Sequence, residues 1–278
     1  MTGTPAALVP VVAALAALPP VARLLKGGKR ADIGGVWSSS SSIVAGLLAA
    51  AATGRVVVVS PGAETAEATA LDLAHVFPHL SVAHIPVEEE IPVGPESRAN
   101  RSDRLVALTS LLEPGNGVLV VPGPVLFEDL PAADGPQWLV EKGGRLDREE
   151  LLEVLSDHDF VRVPLVASPG EVSLRGDIID IYPWASDTPV RIELFDDEVE
   201  DLRRFAVDDQ RSVETLEQAT LRLGSGSGET RRITELLGSD TLVVLIDPPH
   251  LKDRLVEVAY EKEIAPRDIE AVLGMLRR

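Results

Sequence analysis

Between Glu171 and Phe205 the sequence EVSLRGDIIDIYPWASDTPVRIELFDDEVEDLRRF leaves no room for a helix. It divides into β-strands at Glu171–Leu174, Asp177–Tyr182, Pro189–Leu194 and Glu198–Phe205. The breaks are Arg175-Gly176, the run from Pro183 to Asp187, and the acidic turn Phe195-Asp196-Asp197. Short strands joined by turn residues, with no gap long enough for a crossover, specify an antiparallel meander. In the third strand Val190, Ile192 and Leu194 alternate with Arg191, Glu193 and Phe195. If the aliphatic set faces the core, the other face carries an arginine, a glutamate and a phenylalanine in a row. An aromatic ring beside an arginine on an open sheet face reads as a docking surface. In Glu198–Phe205 the alternation breaks, because Val199, Leu202 and Phe205 are spaced by three. A bulge or a short helical turn accounts for that spacing.

At 278 residues the chain is long enough for one large domain or two smaller ones. Aromatics make up only 4% of it, so the core must come from Ala, Val, Leu and Ile. The absence of cysteine excludes disulfides, thiolate metal sites and a cysteine nucleophile, and suits a reducing, cytoplasmic setting. The formal net charge of −18 repels a phosphate polymer, so the chain is not expected to grip nucleic acid on its own. The same charge attracts a basic protein partner or serves solubility, and composition does not choose between them.

The meander is flanked by segments of a different kind. Residues 5–25 (PAALVPVVAALAALPPVARLL) are apolar, but Pro10, Pro19 and Pro20 interrupt them and the basic residues follow the run. They predict a buried helix ending at Pro19-Pro20 and a second short helix, with no membrane span. Beyond them the pattern alternates: strand Asp32–Trp37, helix Ile43–Thr53, strand Val56–Ser60, helix Ala63–Val76, strand Val82–Ile85, helix Asn100–Leu112 and strand Gly117–Pro122. Alternation with continuous aliphatic strands such as VVVVS implies a doubly wound parallel sheet covered on both faces. Glu88–Arg98 reads as an acidic, proline-broken connection, and Gly123–Asp134 is rich in turn formers and marks a boundary. After it come a strand at Trp138–Glu141 and an amphipathic helix at Asp147–Asp157, with Leu151, Leu152 and Leu155 inward and a cap at Asp147. Past the meander, Gly224–Gly228 (GSGSG) reads as linker. Thr241–Asp247 and the helices Pro249–Glu263 and Pro266–Arg278 restore the βα pattern, so the strand can rejoin the first sheet with the meander as an insertion.

Few of these segments offer chemistry. The loop GGVWSSSSS (Gly34–Ser42) lies where a nucleotide-binding fold places its phosphate loop. A working loop there reads G-x-x-x-x-G-K-S/T, and here both the lysine and the second glycine are missing. Gly35, Ser39, Ser40 and Ser41 are therefore a degenerate phosphate loop: amides at a helix start that hold an anion weakly, without the cation hydrolysis needs. Thr241–Asp247 resembles a strand ending in a magnesium-binding aspartate, but reads as an ordinary buried strand. His75 and His79, with Pro78 between them, read as surface histidines in preference to a zinc pair. Arg98, Arg101 and Arg104, at helical spacing, are expected on a solvated face pairing with Glu88–Glu90 or Glu96. No catalytic residue and no metal site is expected.

The stretch SLRGDIIDIYPWASDTPVRIELFDDEVEDLRRFAVDDQRSV resembles the UvrA-binding domain shared by the excision-repair helicase UvrB and the transcription-repair coupling factors. The spoiled phosphate loop and PVGPESRANRSDRL, ahead of GVLVVPGPVLF, resemble the coupling factors. UvrB keeps the phosphate-binding lysine, and this chain lacks it. The resemblance implies an α/β layer like a degenerate helicase domain (residues 1–123), an inserted, mostly antiparallel UvrA-interaction domain with a helix (124–215), and a linker and return to the layer (216–278). It implies a non-catalytic module that docks UvrA through Arg175, Arg191 and Phe195. It also implies no cofactor for this segment, with ATP and magnesium belonging to the motor of the full-length family. RNA polymerase and DNA are implied as partners only through regions not present here. Replacing Arg191 with glutamate or Phe195 with alanine is then expected to abolish UvrA binding and leave the chain folded. The alternative is a diverged UvrB-like ATP-dependent DNA repair helicase subunit.

Overall fold

The computed structural model describes residues 3–26, 31–87, 95–112, 117–131, 135–225, 230–237 and 241–275. In chain order the first part holds α1 (Val9–Ala16), α2 (Pro19–Leu25), α3 (Ser39–Ala51), β1 (Val56–Ser60), α4 (Ala63–Val76), β2 (Ser81–His84), α5 (Pro95–Leu112) and β3 (Gly117–Pro122). The middle holds β4 (Leu130–Pro131), β5 (Gln137–Glu141), α6 (Arg148–Asp157), β6 (Val161–Arg162), β7 (Glu171–Arg175), β8 (Ile178–Tyr182), β9 (Val190–Phe195), β10 (Glu198–Phe205), β11 (Ser212–Thr215) and β12 (Gln218–Arg222). The last part holds β13 (Thr230–Arg231), α7 (Ile233–Leu236), β14 (Leu242–Leu245), α8 (Pro248–Glu261) and α9 (Pro266–Met275). The chain divides into two compact units. One comprises Met1–Glu88, Ser110–Asp129 and Arg231–Arg278, and the other Glu89–Thr109 and Leu130–Thr230. The boundaries expected from the sequence are 123/124 and 215/216.

The first unit is a parallel α/β layer with strand order β14-β1-β3-β2. β1 is buried along its whole length and pairs with β14 on one side (Val56↔Leu242) and β3 on the other (Val56↔Val118), as a strand of four valines covered on both faces should. The strand near the end of the sequence therefore does return to the first sheet. Ile43, Ala45, Ala66, Leu73 and Phe77 pack on the sheet from α3 and α4. Gly46 is required there, because a Cβ on it would lie 2.1 Å from Cε2 of Phe77.

Two expectations fail in this unit. Asp32–Trp37 forms no strand. The Gly34-Gly35 pair, with Gly35 at φ +77°, interrupts the extended run. Ile33 and Val36 instead pack against a satellite cluster of Val21, Val44 and Leu48. The second concerns the N-terminal helix, which is not buried: α1 keeps only Val12 inside, with Val9 and Val11 exposed. Pro19-Pro20 opens α2, where prolines are tolerated because the first-turn N–H groups have no partner. No described helix is long and apolar enough to cross a membrane.

The second unit is built on a six-stranded sheet of order β11-β10-β9-β8-β7-β6, antiparallel except for the β6–β7 pair. The four meander strands fall where the turn residues place them, within two residues at each end. Their inward residues, Val172, Ile179, Ile181, Val190, Ile192, Leu194, Val199 and Leu202, share one core with Leu151 and Leu155 of α6 and with Val140 and Leu221 of the β5–β12 hairpin. Asp147 caps α6 by accepting hydrogen bonds from the amides of Glu149 (2.9 Å) and Glu150 (3.1 Å). Trp184 fills the end of this core, and its Nε1 donates to the carbonyl of His158 at 3.1 Å. Gly170, at φ +74°, leaves space for that indole: a Cβ would sit 2.2 Å from its Cζ2. The irregular spacing in β10 is a bulge, with a register shift between Val199 and Asp201 that keeps Val199 and Leu202 both inward.

The arginine stripe of α5 is a solvated face only in part, with Arg101 exposed and Arg98 half-buried. Arg104 is buried, and the guanidinium of Arg101 stands 5.8 Å from the ring centre of Trp184. Ser102, next to them, donates to the carbonyl of Trp184. Of the glutamates expected to pair with these arginines, Glu88–Glu90 lie outside the described residues. Much of the Glu88–Arg98 connection and of the Gly224–Gly228 linker lies outside them too.

Candidate functional site

The open face of the second unit's sheet gathers charge around one carboxylate. In β8 the inward residues are Ile179 and Ile181, so Asp180 faces the other way, and register sets it directly opposite Arg191 of β9. The β7–β8 hairpin turns at Gly176, whose φ of +62° a two-residue turn requires, and this puts Arg175 on the same side. Asp180 is fully buried and holds both arginines. Arg191 donates from Nε to Oδ1 at 2.6 Å and from Nη2 to Oδ2 at 2.9 Å, a two-pronged pair. Arg175 Nη2 reaches the same Oδ2 at 2.5 Å.

Arg191 is gripped from two further directions. Its guanidinium lies 4.5 Å above the ring of Phe205, a cation–π contact. Its Nη2 also donates to Oε1 of Gln210 at 3.3 Å. Phe205 stands three residues beyond inward-facing Leu202, so alternation turns it to the outer face, where it is buried beneath the arginine. Gln210 sits at φ +58° in the loop after β10, anchored by its amide to Ala206 O and by Nε2 to Val207 O, each at 2.9 Å. The face continues with Glu193 paired to Arg203, and with Asp201 accepting from Arg203 (3.1 Å) and Lys142 (3.2 Å). At the β9–β10 turn Phe195 is 71% exposed, beside exposed Asp196, Asp197 and Glu198.

Arg175, Arg191 and Phe195 thus share one face of one sheet, but not one degree of exposure. The Arg175 side chain is 45% exposed and that of Arg191 only 12%. Arg191 is a held, mostly covered group, not a free one. Sequence reading missed Asp180, Phe205 and Gln210. The signal for Asp180 was a lone carboxylate inside the aliphatic run Ile178–Tyr182; the other two depend on the bulge and the following loop. Nearby, Asp103 and Tyr182 both titrate above their ordinary values, through burial first and then the negative charge of Asp187.

In the first unit, residues of the degenerate loop, Gly35, Ser39 and Ser41 among them, line a cavity of about 1230 Å³. Ser39, Ser40 and Ser41 form the first turn of α3, following Ser38 at φ +50°. Ser40 Oγ accepts from the amide of Trp37 (2.8 Å) and donates to its carbonyl (2.6 Å), so this hydroxyl serves the local turn. Neither lysine nor arginine occurs among the described residues lining the cavity. Asp247, after β14, caps α8 by accepting from the amide of His250 at 3.4 Å, and sits at φ +44°. His75 lies in the last turn of α4, and His79 beyond it packs edge-on to Phe77 at 6.2 Å. Among the described residues no group of three or more histidine or carboxylate side chains is placed to hold a metal.

Residues 139–222 match the family model of the UvrB interaction domain. The chain is 36% identical over 201 residues to the transcription-repair-coupling factor of Bacillus subtilis (strain 168), a match covering 69% of this chain and 17% of that protein. With the transcription-repair-coupling factor of Escherichia coli (strain K12) it shares 28% identity over 235 residues, 82% of this chain and 20% of that protein. The protein of the same name from Staphylococcus haemolyticus (strain JCSC1435) is 33% identical over 174 residues. The matched segment is thus a fifth or less of the first two relatives' length. The resemblance read from the meander is borne out: residues 139–222 match the UvrB interaction domain, in a chain similar to transcription-repair-coupling factors.

Proposed function

We propose that this chain is a non-catalytic recruitment module that docks the excision-repair protein UvrA, and that within a longer coupling factor it links stalled transcription to repair. The observation carrying this reading is the outer sheet face itself. An exposed phenylalanine and two arginines drawn to one carboxylate lie inside the segment that matches the UvrB interaction domain. Arginine and aromatic anchors dominate interface energies, at about 2 kcal/mol or more each when truncated. Phe195→Ala is therefore expected to weaken UvrA binding about thirtyfold or more. Because Phe195 packs little in the free chain, its unfolding midpoint should hardly change. Unaltered UvrA affinity in folded Phe195→Ala, measured by calorimetric titration, would remove this residue from the interface.

In this reading the module works in the cytoplasm without a cofactor. ATP, magnesium, DNA and RNA polymerase are handled by other parts of a longer protein. The cavity beside the degenerate loop gives a second reading some footing, that of a UvrB-like ATPase subunit. An ATP hydrolysis assay with and without DNA separates them. DNA-stimulated turnover by this chain would favour the second reading, and turnover at background the first.

A further inference from the structure

We infer that Asp180 is the positioning residue of the docking face: a single buried carboxylate that fixes the guanidinium groups of Arg175 and Arg191 in the arrangement that meets the partner. The inference rests on the docking reading above and goes one step further, to what prepares the site before binding.

The stoichiometry of the cluster argues for this. One arginine is enough to neutralise one buried carboxylate, and Arg191 already does so through Nε and Nη2. Arg175 adds a second cation on Oδ2, leaving the group one positive charge in excess. Nearly half its side chain is in contact with solvent, where an arginine gains little from ion pairing and loses rotamer freedom by being held. Ordering such a side chain in the free protein lowers the entropy that binding must otherwise supply. Of the five N–H donors of its guanidinium, the described contacts use one, on Nη2. Its remaining donors, together with the excess charge, suit carboxylate and carbonyl acceptors on the partner. Phe205 and Gln210 fix Arg191 from the other side, so the pair is held at both ends.

The test is a double-mutant cycle on the 278-residue chain titrated with UvrA, with affinities corrected for the folded fraction read from urea unfolding. Asp180→Asn keeps the shape and removes the charge. It is expected to weaken binding on the order of tenfold. In that background Arg175→Ala should cost clearly less than it does in the wild-type chain, because Arg175 has already lost its anchor, whereas Phe195→Ala should show its full separate effect. A carboxylate with a purely structural role would instead add to both variants alike. That result, or wild-type affinity in folded Asp180→Asn, overturns the inference while leaving the docking reading intact. If Arg175→Ala and Phe195→Ala both bind as wild type, the docking reading falls and this inference with it. Should Asp180→Asn not fold, nitrogen-15 spectra of the wild-type chain decide. Separate, slowly interconverting Hη signals on both Arg175 and Arg191 support preorganisation, and averaged Hη signals at Arg175 refute it.

Discussion

Arg191→Glu tests whether the outer sheet face is surface or structure. From sequence alone the variant should fold and merely fail to bind. In the structure the Arg191 side chain is 12% exposed and bonded twice to Asp180, which is fully buried. Glutamate at 191 would remove those bonds and bring a second carboxylate against the first. Breaking a buried ion pair by removing one partner costs about 3–5 kcal/mol. Arg175 still reaches Oδ2 and offsets part of this, and the loss of the Phe205 contact adds to it. Against a typical domain stability of about 5–15 kcal/mol, this brings the second unit to the margin of folding. Urea unfolding followed by the fluorescence of Trp184, buried in that unit's core, should show a clear fall in midpoint. Arg191→Leu should lose less than Arg191→Glu, because it leaves Asp180 short of one partner without adding a like charge. Midpoints for Arg191→Glu and wild type that coincide would show that Asp180 does not depend on this arginine, and the reasoning would fail.

Other variants probe the same packing and electrostatics. Burial and the charge of Asp187 hold Asp103 above its usual carboxylate value, so the folded state retains its proton to higher pH than the unfolded state. Stability therefore falls as pH rises from 3.8 through the raised value, and Asp103→Asn should raise the thermal midpoint at neutral pH while matching wild type below that window. His84 shows the opposite sign: burial lowers its value below 6.5 against the pull of Glu67. Its neutral form is favoured by folding, so stability should decline as pH drops from 6.5 through the lowered value, and His84→Leu should flatten that decline in a calorimetric pH series. Gly46→Ala would press a methyl group on Phe77 and should cost about 1–3 kcal/mol in chemical denaturation. Gly170→Ala should cost more, since it meets Trp184 and also requires a left-handed backbone.

What the sequence determined by itself were features set by neighbours along the chain. Four valines followed by a helix-forming run fix β1 and α4, because burial on both faces and 3.6-residue periodicity are local signatures. Arg175-Gly176 and Phe195-Asp196-Asp197 fix the hairpins, and with them the side to which Arg175, Arg191 and Phe195 point. The Asp147 cap was legible for the same reason. What only the tertiary structure decided depends on which residues meet from far along the chain. Asp32–Trp37 had strand composition, but the Gly34-Gly35 pair interrupts it and its apolar residues pack on a cluster built around Val21, Val44 and Leu48. Arg101 and Arg104 had the spacing of a solvated stripe, yet one lies over Trp184 and the other is buried. Arg191 looked like a free cation until the register set it on Asp180, the bulge and alternation slid Phe205 beneath it, and the loop after β10 brought Gln210 to its edge. Alternation tells which face a side chain is on. How much of it remains in water is set by partners many residues away, and those a local pattern does not contain.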